Sequence, residues 1–230
     1  MFKLDTHVHT AETSACGRIY AKDAVRLYKE AGYHGIVITD HYYKDYFEAV
    51  NATSWDDKIE SFLQGYKNAV DEGSKEGLTI LLGIELRFIE NPSDYLVYGI
   101  TEEFLKEYPK LYDLGVCKFR QLIEKEDILL FQAHPYRNGM VAAPPGCLHG
   151  VEVFNGNARH ESRNEKAYRL AKEQGLMMSS GSDFHQIEDL NRGGMIFRNK
   201  IQTSSELVKA FRNNEAMELK GRIAYGKTKK

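Results

Sequence analysis

Five of the eight histidines in this chain lie in short clusters where apolar, strand-like runs end. They are His7 and His9 in His7-Val8-His9, His41 after Asp40, His134 before Pro135, and His185 in Asp183-Phe184-His185. Glu85 ends the run Leu81-Leu82-Gly83-Ile84 in the same way. Imidazole nitrogen and carboxylate oxygen both ligate zinc, manganese and iron. A fold that gathered these ends would build a pocket for two or three divalent ions, and hydrolysis by an activated water is its natural chemistry.

Each motif has its own logic. Residues two apart on a strand point the same way, so His7 and His9 can face one ion, and Asp183-Phe184-His185 repeats the spacing. Asp40 and His41 are adjacent and face opposite ways. His41 is therefore the expected ligand, with Asp40 as its hydrogen-bonding support or a structural acceptor. A carboxylate closing an apolar strand needs a partner, and Glu85 can bridge two ions or pair with Arg87. Pro135 holds His134 extended. In the loop after His9, Glu12 is a possible further ligand and Cys16 an alternative thiolate. Asp94, before Tyr95-Leu96-Val97, is another.

Arg18, Arg137, Arg159 and Arg192 lie in loops beside these motifs, where a guanidinium can hold a phosphate through paired hydrogen bonds. Arg137, Arg159 and Arg192 are the expected substrate ligands, with Asn155; Glu152 and Asn155 either line the pocket or end a strand. Glu85, His134 and Asp183 are expected to carry the catalysis. His34, His149 and His160 read as structural or surface residues. The stretch Tyr42-Tyr43-Lys44-Asp45-Tyr46-Phe47 reads as a pocket wall or lid, or as helix packing.

The elements that must position these groups alternate. Strand-like runs cover residues 2–8, 35–39, 78–84, 95–100, 128–132, 150–154, 176–180 and 195–197. Helical patterns fall at 21–31, 59–70, 102–107, 111–125 and 160–174, and after Thr203 or Ser204. Alternation of this kind predicts βα units, and the number of strands ending in polar clusters favours a barrel with its site at their C-terminal ends. Residues 1–230 read as one domain.

Composition narrows the functions. The chain is 42% hydrophobic with a net charge of −2, from 31 basic and 33 acidic residues, so bulk binding to nucleic acid or an anionic membrane is not expected. No apolar run approaches the ~20 residues of a membrane span. The start of the chain lacks a signal-like apolar region, and a cytoplasmic location is expected. The basic run Lys227-Thr228-Lys229-Lys230 reads as a frayed end. Three widely spaced cysteines, Cys16, Cys117 and Cys147, give no disulfide framework.

The ordered set of His-x-His, Thr39-Asp40-His41, Gly83-Ile84-Glu85, Ala133-His134-Pro135, Glu152-Val153-Phe154-Asn155 and Gly181-Ser182-Asp183-Phe184-His185 resembles the PHP (polymerase and histidinol phosphatase) superfamily. The resemblance runs from Asp5 to about His185. It implies a distorted (β/α)7 barrel in which His7, His9, Glu85 and Asp183 hold one ion. His41, His185 and a residue of the first loop would hold a second, and Glu85 with His134 a third. The chain departs from the family where many members carry His or Asp, offering Ser14 and Ala15 in the first loop and Asp94 further on. The implied activity is metal-dependent hydrolysis of a small phosphomonoester, similar to histidinol-phosphate phosphatases. Alternatives are a protein tyrosine phosphatase of the bacterial capsule type, a nuclease, and a non-catalytic metal-binding module.

Overall fold

A computed structural model describes residues 1–221; the basic run at 227–230 lies outside them. The chain forms β1 (Phe2–Val8), α1 (Ala21–Glu30), β2 (Gly35–Ile38), β3 (His41–Tyr42), α2 (Lys44–Ala49), α3 (Trp55–Phe62), α4 (Gln64–Glu76), β4 (Thr79–Arg87) and β5 (Asp94–Tyr98). It continues with α5 (Glu102–Glu107), α6 (Val116–Leu122), β6 (Leu129–Gln132), β7 (Gly150–Asn155), α7 (Asn164–Gln174), β8 (Met177–Gly181), β9 (Met195–Phe197), α8 (Ser204–Arg212) and β10 (Ala216–Leu219).

The strands make one curved sheet in the order β10-β9-β1-β2-β4-β5-β6-β7-β8, with β3 added beside the end of β4. β1, β2 and β4 run parallel, as do β6, β7 and β8. The barrel is mixed rather than all-parallel, because β5 runs against both β4 and β6. Only residues 88–93 separate β4 from β5. A parallel crossover needs roughly a dozen residues or more, so a link this short forces a hairpin.

The barrel closes at one end. The first half of β1 pairs with β9, antiparallel. Its second half instead meets the segment after β8: Phe184 N–H donates to the His7 carbonyl, and His9 N–H to the Phe184 carbonyl, at 3.2 and 3.0 Å. Closure therefore happens where the histidines are.

Among the described residues, three buried apolar clusters hold the elements together. The expected helix over 59–70 is two helices meeting at Leu63, both turning their apolar side inward. Tyr42 and Phe47 are fully buried among Phe62 and Tyr112 with Tyr46 packed against them, whereas Lys44 and Asp45 are exposed and Tyr43 meets the His41 ring edge-on. Cys117, on α6, is disulfide-bonded to Cys147 in a short 3-10 turn before β7. The wide spacing hid this pair, because a helix and a loop thirty positions apart become neighbours only after folding. Among the described residues no helix is long and apolar enough to cross a membrane.

Candidate metal centre

His7 and His9 project from the end of β1 toward Glu85, the buried seventh residue of β4. His41 sits opposite Glu85 in the short β3–β4 pairing. His134 and Asp183, just past β6 and β8, both adopt positive φ, 28° and 55°. Pro135 therefore does not hold His134 extended as expected. A non-glycine residue at positive φ is strained, and such strain persists where surrounding structure enforces it, often at functional sites.

Glu85 is the hub. Its Oε1 lies 3.3 Å from His7 Nε2 and 3.2 Å from His134 Nε2. Its Oε2 lies 3.3 Å from His9 Nε2 and 2.8 Å from His41 Nδ1. Asp183 Oδ1 approaches His7 and His9 at 3.5 and 3.4 Å. Two triads, His7–His9–Glu85 and His9–His41–His185, place their ligand atoms within 4.8 Å of one another, and His41–Glu85–Asp94 makes a third.

Outer contacts fix the imidazole hydrogens. His7 Nδ1–H donates to Glu152 Oε1 at 2.8 Å. Ser14 Oγ–H donates to Asp40 Oδ1 at 2.6 Å, so Ser14 Oγ accepts from His9 Nδ1, 3.2 Å away. His185 Nδ1–H donates to the Asp183 carbonyl at 2.9 Å. With their hydrogens committed at Nδ1, neutral His7, His9 and His185 all present Nε2 lone pairs inward. The two Nε2 atoms of His7 and His9 stand 3.1 Å apart. Two acceptors at that distance need a cation between them, either a metal ion or the second proton of a charged His7. The buried Glu85 Oε2 has no aligned hydrogen bond despite the nearby His41, and His134 Nδ1 has none either. This donor set fits borderline divalent ions such as zinc, manganese or iron, with the outer carboxylates and carbonyl orienting the ligands.

The charges agree. Burial disfavours the His7 cation, yet Glu152, Glu85 and Asp183 together hold its pKa well above the usual value. Burial pushes Glu85 and Asp183 upward, but His7 and His41 on one, and His7, His9 and Arg137 on the other, hold both well below the carboxylate range. Burial, with the neighbouring His9, lowers His185 to about 3, which keeps its ring neutral for ligation.

Above the cluster opens a cavity of about 680 Å³. Arg18, Arg87, Arg137 and Arg159 line it, with Asn157, His160 and Cys16. Several expected site residues lie elsewhere or play other parts. Glu12 turns away, accepting from Ala21 N–H at the start of α1 at 2.9 Å and from Asn68. Its position in the loop suggested a ligand, but the open helix N-terminus captured the carboxylate. Asp94 is at the cavity edge, held by Arg87 through two hydrogen bonds of 2.7 and 2.9 Å. Arg192 does not line the cavity; its Nε donates to the Glu188 carbonyl at 2.6 Å.

Asn155 is buried beneath the cavity, where its Nδ2 donates to Glu152 and Asp183 and its Oδ1 accepts from Arg137. Arg137 also donates to Asp183 Oδ2 at 2.7 Å, and Arg159 to Asp189 at 2.7 Å. His160, read as structural or surface, is exposed and lines the cavity. Sequence reading missed Arg87, Asn157 and the supporting roles of Ser14 and Glu152. Arg87, two positions past Glu85 on the same strand, was visible only as a possible partner for that carboxylate.

A nearly closed α/β sheet gathers imidazoles and carboxylates at one rim, in groups able to hold metal ions. The chain belongs to the PHP domain family, whose pattern it matches over residues 5–220. Its fold is similar to that of a two-domain protein from Bacteroides vulgatus containing a predicted PHP-like metal-dependent phosphoesterase. That match has a TM-score of 0.65 at 19% identity, and covers 94% of this chain and 63% of the other. The chain thus spans less than two thirds of that protein. PsfC from Pseudomonas syringae is similar at TM-score 0.64 and 18% identity, over 90% of this chain and 87% of PsfC. A protein from Bifidobacterium adolescentis assigned as a metal-dependent phosphoesterase is similar at 0.52 and 16%, over 80% and 87%. Among curated proteins none matches the chain.

Proposed function

We propose that this protein hydrolyses a phosphate monoester of a small molecule, using two or three divalent ions. The observation that carries the reading is the inward-facing cluster of Nε2 lone pairs around the buried Glu85, beneath a cavity lined by four guanidinium groups. His7, His9, Glu85 and Asp183 would hold one ion, His41 and His185 a second, and Glu85 with His134 a third. Bound there, zinc, manganese or iron supplies Lewis acidity that polarises a phosphoryl group and acidifies a water.

The chain's own groups do the rest. Glu152, Ser14 and the Asp183 carbonyl keep the imidazoles in the ligating tautomer. Arg137, fixed by Asp183 and Asn155, has its guanidinium at the cavity wall, placed to hold a phosphoryl oxygen. Arg18 is exposed at the rim and adds positive charge for the dianion. Asn155 contributes by positioning Arg137 and Asp183 rather than by touching substrate. His134 lines the cavity beside Glu85, where its Nε2 would ligate the third ion.

The test is a screen of phosphorylated metabolites with Mn²⁺, Zn²⁺ or Fe²⁺ supplied, alongside elemental analysis. We expect at least two ions per chain and turnover of one small monoester. Fewer than one ion per chain after growth in ample metal would remove the basis of the reading. Preferred cleavage of a phosphotyrosine peptide or of DNA would keep the metal chemistry and replace the substrate class.

A further inference from the structure

The three imidazoles His9, His41 and His185 form a cluster with no fourth ligand assigned, and the first loop carries no His or Asp after His9. The loop's side chains can be taken one at a time. Thr10 Oγ1 donates to Asp40, Thr13 Oγ1 to the Phe62 carbonyl and Ser14 Oγ to Asp40. Glu12 is spent on the start of α1. Ala15 has no donor atom. Cys16 remains, and its Sγ lies 3.1 Å from His185 Nε2, the ring atom left free by the Nδ1–H bond to the Asp183 carbonyl.

The loop is built to keep it there. Arg18 N–H donates to the His185 carbonyl at 2.8 Å, tying the residue after Gly17 to the Asp-x-His motif. Gly17 allows the turn, since a side chain there would press on the Thr10 carbonyl at 2.8 Å. A second, independent sign of a ligand is Glu85 Oε2, buried, without an aligned hydrogen bond, and facing His9 and His41. Cys117 and Cys147 are bonded to each other, so among the described residues Cys16 is the free cysteine.

We propose that Cys16 is a thiolate ligand of the second ion, completing the His9–His41–His185 cluster, a reading that rests on the metal-dependent function above. A thiolate is a softer donor than the carboxylate or imidazole it replaces. It biases this position toward zinc or iron over magnesium or manganese. Because Cys16 is exposed at the cavity mouth, the bond to sulfur is also the part of the centre open to thiol reagents.

The test is Co²⁺ titration of the full chain after chelation, followed by visible and near-ultraviolet absorption. The wild-type chain should show cobalt d–d bands together with a sulfur-to-cobalt charge-transfer band, and bound metal should protect Cys16 from iodoacetamide. Cys16→Ser should lose the charge-transfer band, keep the d–d bands, and bind one ion about tenfold or more weakly, since even outer contacts to ligands cost ~10–100-fold. Cys16→Asp should restore affinity without the band. A Cys117→Ser/Cys147→Ser double variant should keep it. Cobalt bound with no charge-transfer band, or a band that survives Cys16→Ser, overturns the thiolate assignment and leaves the metal centre standing. No cobalt binding at all overturns both.

Discussion

Where the imidazole hydrogens sit governs what this pocket can hold. Glu152, Ser14 and the Asp183 carbonyl each take up an Nδ1–H, which leaves the inner ring atoms as acceptors once His7 has shed its second proton. The guanidinium groups divide as sharply. Arg137 is nearly buried, bonded to Asp183 and aimed at the cavity, whereas Arg192 is exposed and occupied by the Glu188 carbonyl. We expect Arg137→Lys to lower kcat/KM on the best monoester by about tenfold or more, because a point charge cannot reproduce the planar two-bond contact. Arg192→Lys should leave kcat/KM within about twofold. Steady-state kinetics with metal content checked in parallel decides the matter. Equal losses in both variants would mean that the effect comes from overall charge.

At the next level, the ends of β1 and β8 are where packing and chemistry coincide. Gly181, the last residue of β8, lies against the β-carbon of His7 and near Glu152 Oε1, so a methyl group there has no room. Gly193 in turn packs on the backbone of Gly181 and Ser182. Gly181→Ala should destabilise the fold by about 1–3 kcal/mol, the usual cost of overpacking a filled core. Thermal unfolding should show a Tm lower by several degrees, and metal affinity should fall with it because His7 is displaced. An unchanged Tm would show that the closure between β1 and β8 yields easily. The reversed β5 belongs to this level too. It carries Asp94 to the cavity edge by a hairpin, where Arg87 meets it, so one short link supplies both groups.

For the molecule as a whole, the metal and the fold should be linked. His7, Glu85 and Asp183 are entirely or almost entirely buried, and burying charge is costly unless it is paired. A divalent ion binding only the folded chain stabilises it in proportion to the logarithm of its concentration over Kd. Chelation should therefore lower Tm, and added zinc or manganese should restore it. The sign with pH follows from proton competition. His7 is raised well above the usual histidine value in the metal-free site, so its proton must leave before the ion can bind. The metal-free chain gains stability from that raised pKa below the unfolded value and loses it as pH rises through the folded one. The Tm gain on adding metal should thus grow as pH rises above about 6.5. A gain that is flat across this range, measured by calorimetry, would rule out His7 as a ligand that must shed a proton.

The sequence alone carried the side of the story that depends on short range. His7 and His9 share a face because strands alternate, Glu85 had to find a partner because it ends an apolar run, and the order of the motifs pointed to the family and the barrel. These follow from local geometry and from the cost of burying charge. Other features depended on which loops meet. In the sequence Glu12 was the expected ligand and Cys16 its alternative. Only the folded chain sends Glu12 to the start of α1 and Cys16 to His185. Likewise Asn155 moved beneath the cavity, Arg192 left it, His160 entered it, and Cys117 reached Cys147, since nothing in residue type fixes distances between distant segments. The reversal of β5 was decided by the length of residues 88–93, and the closure of the barrel by one strand dividing its edge between two partners, β9 at its start and the Phe184 segment at its end.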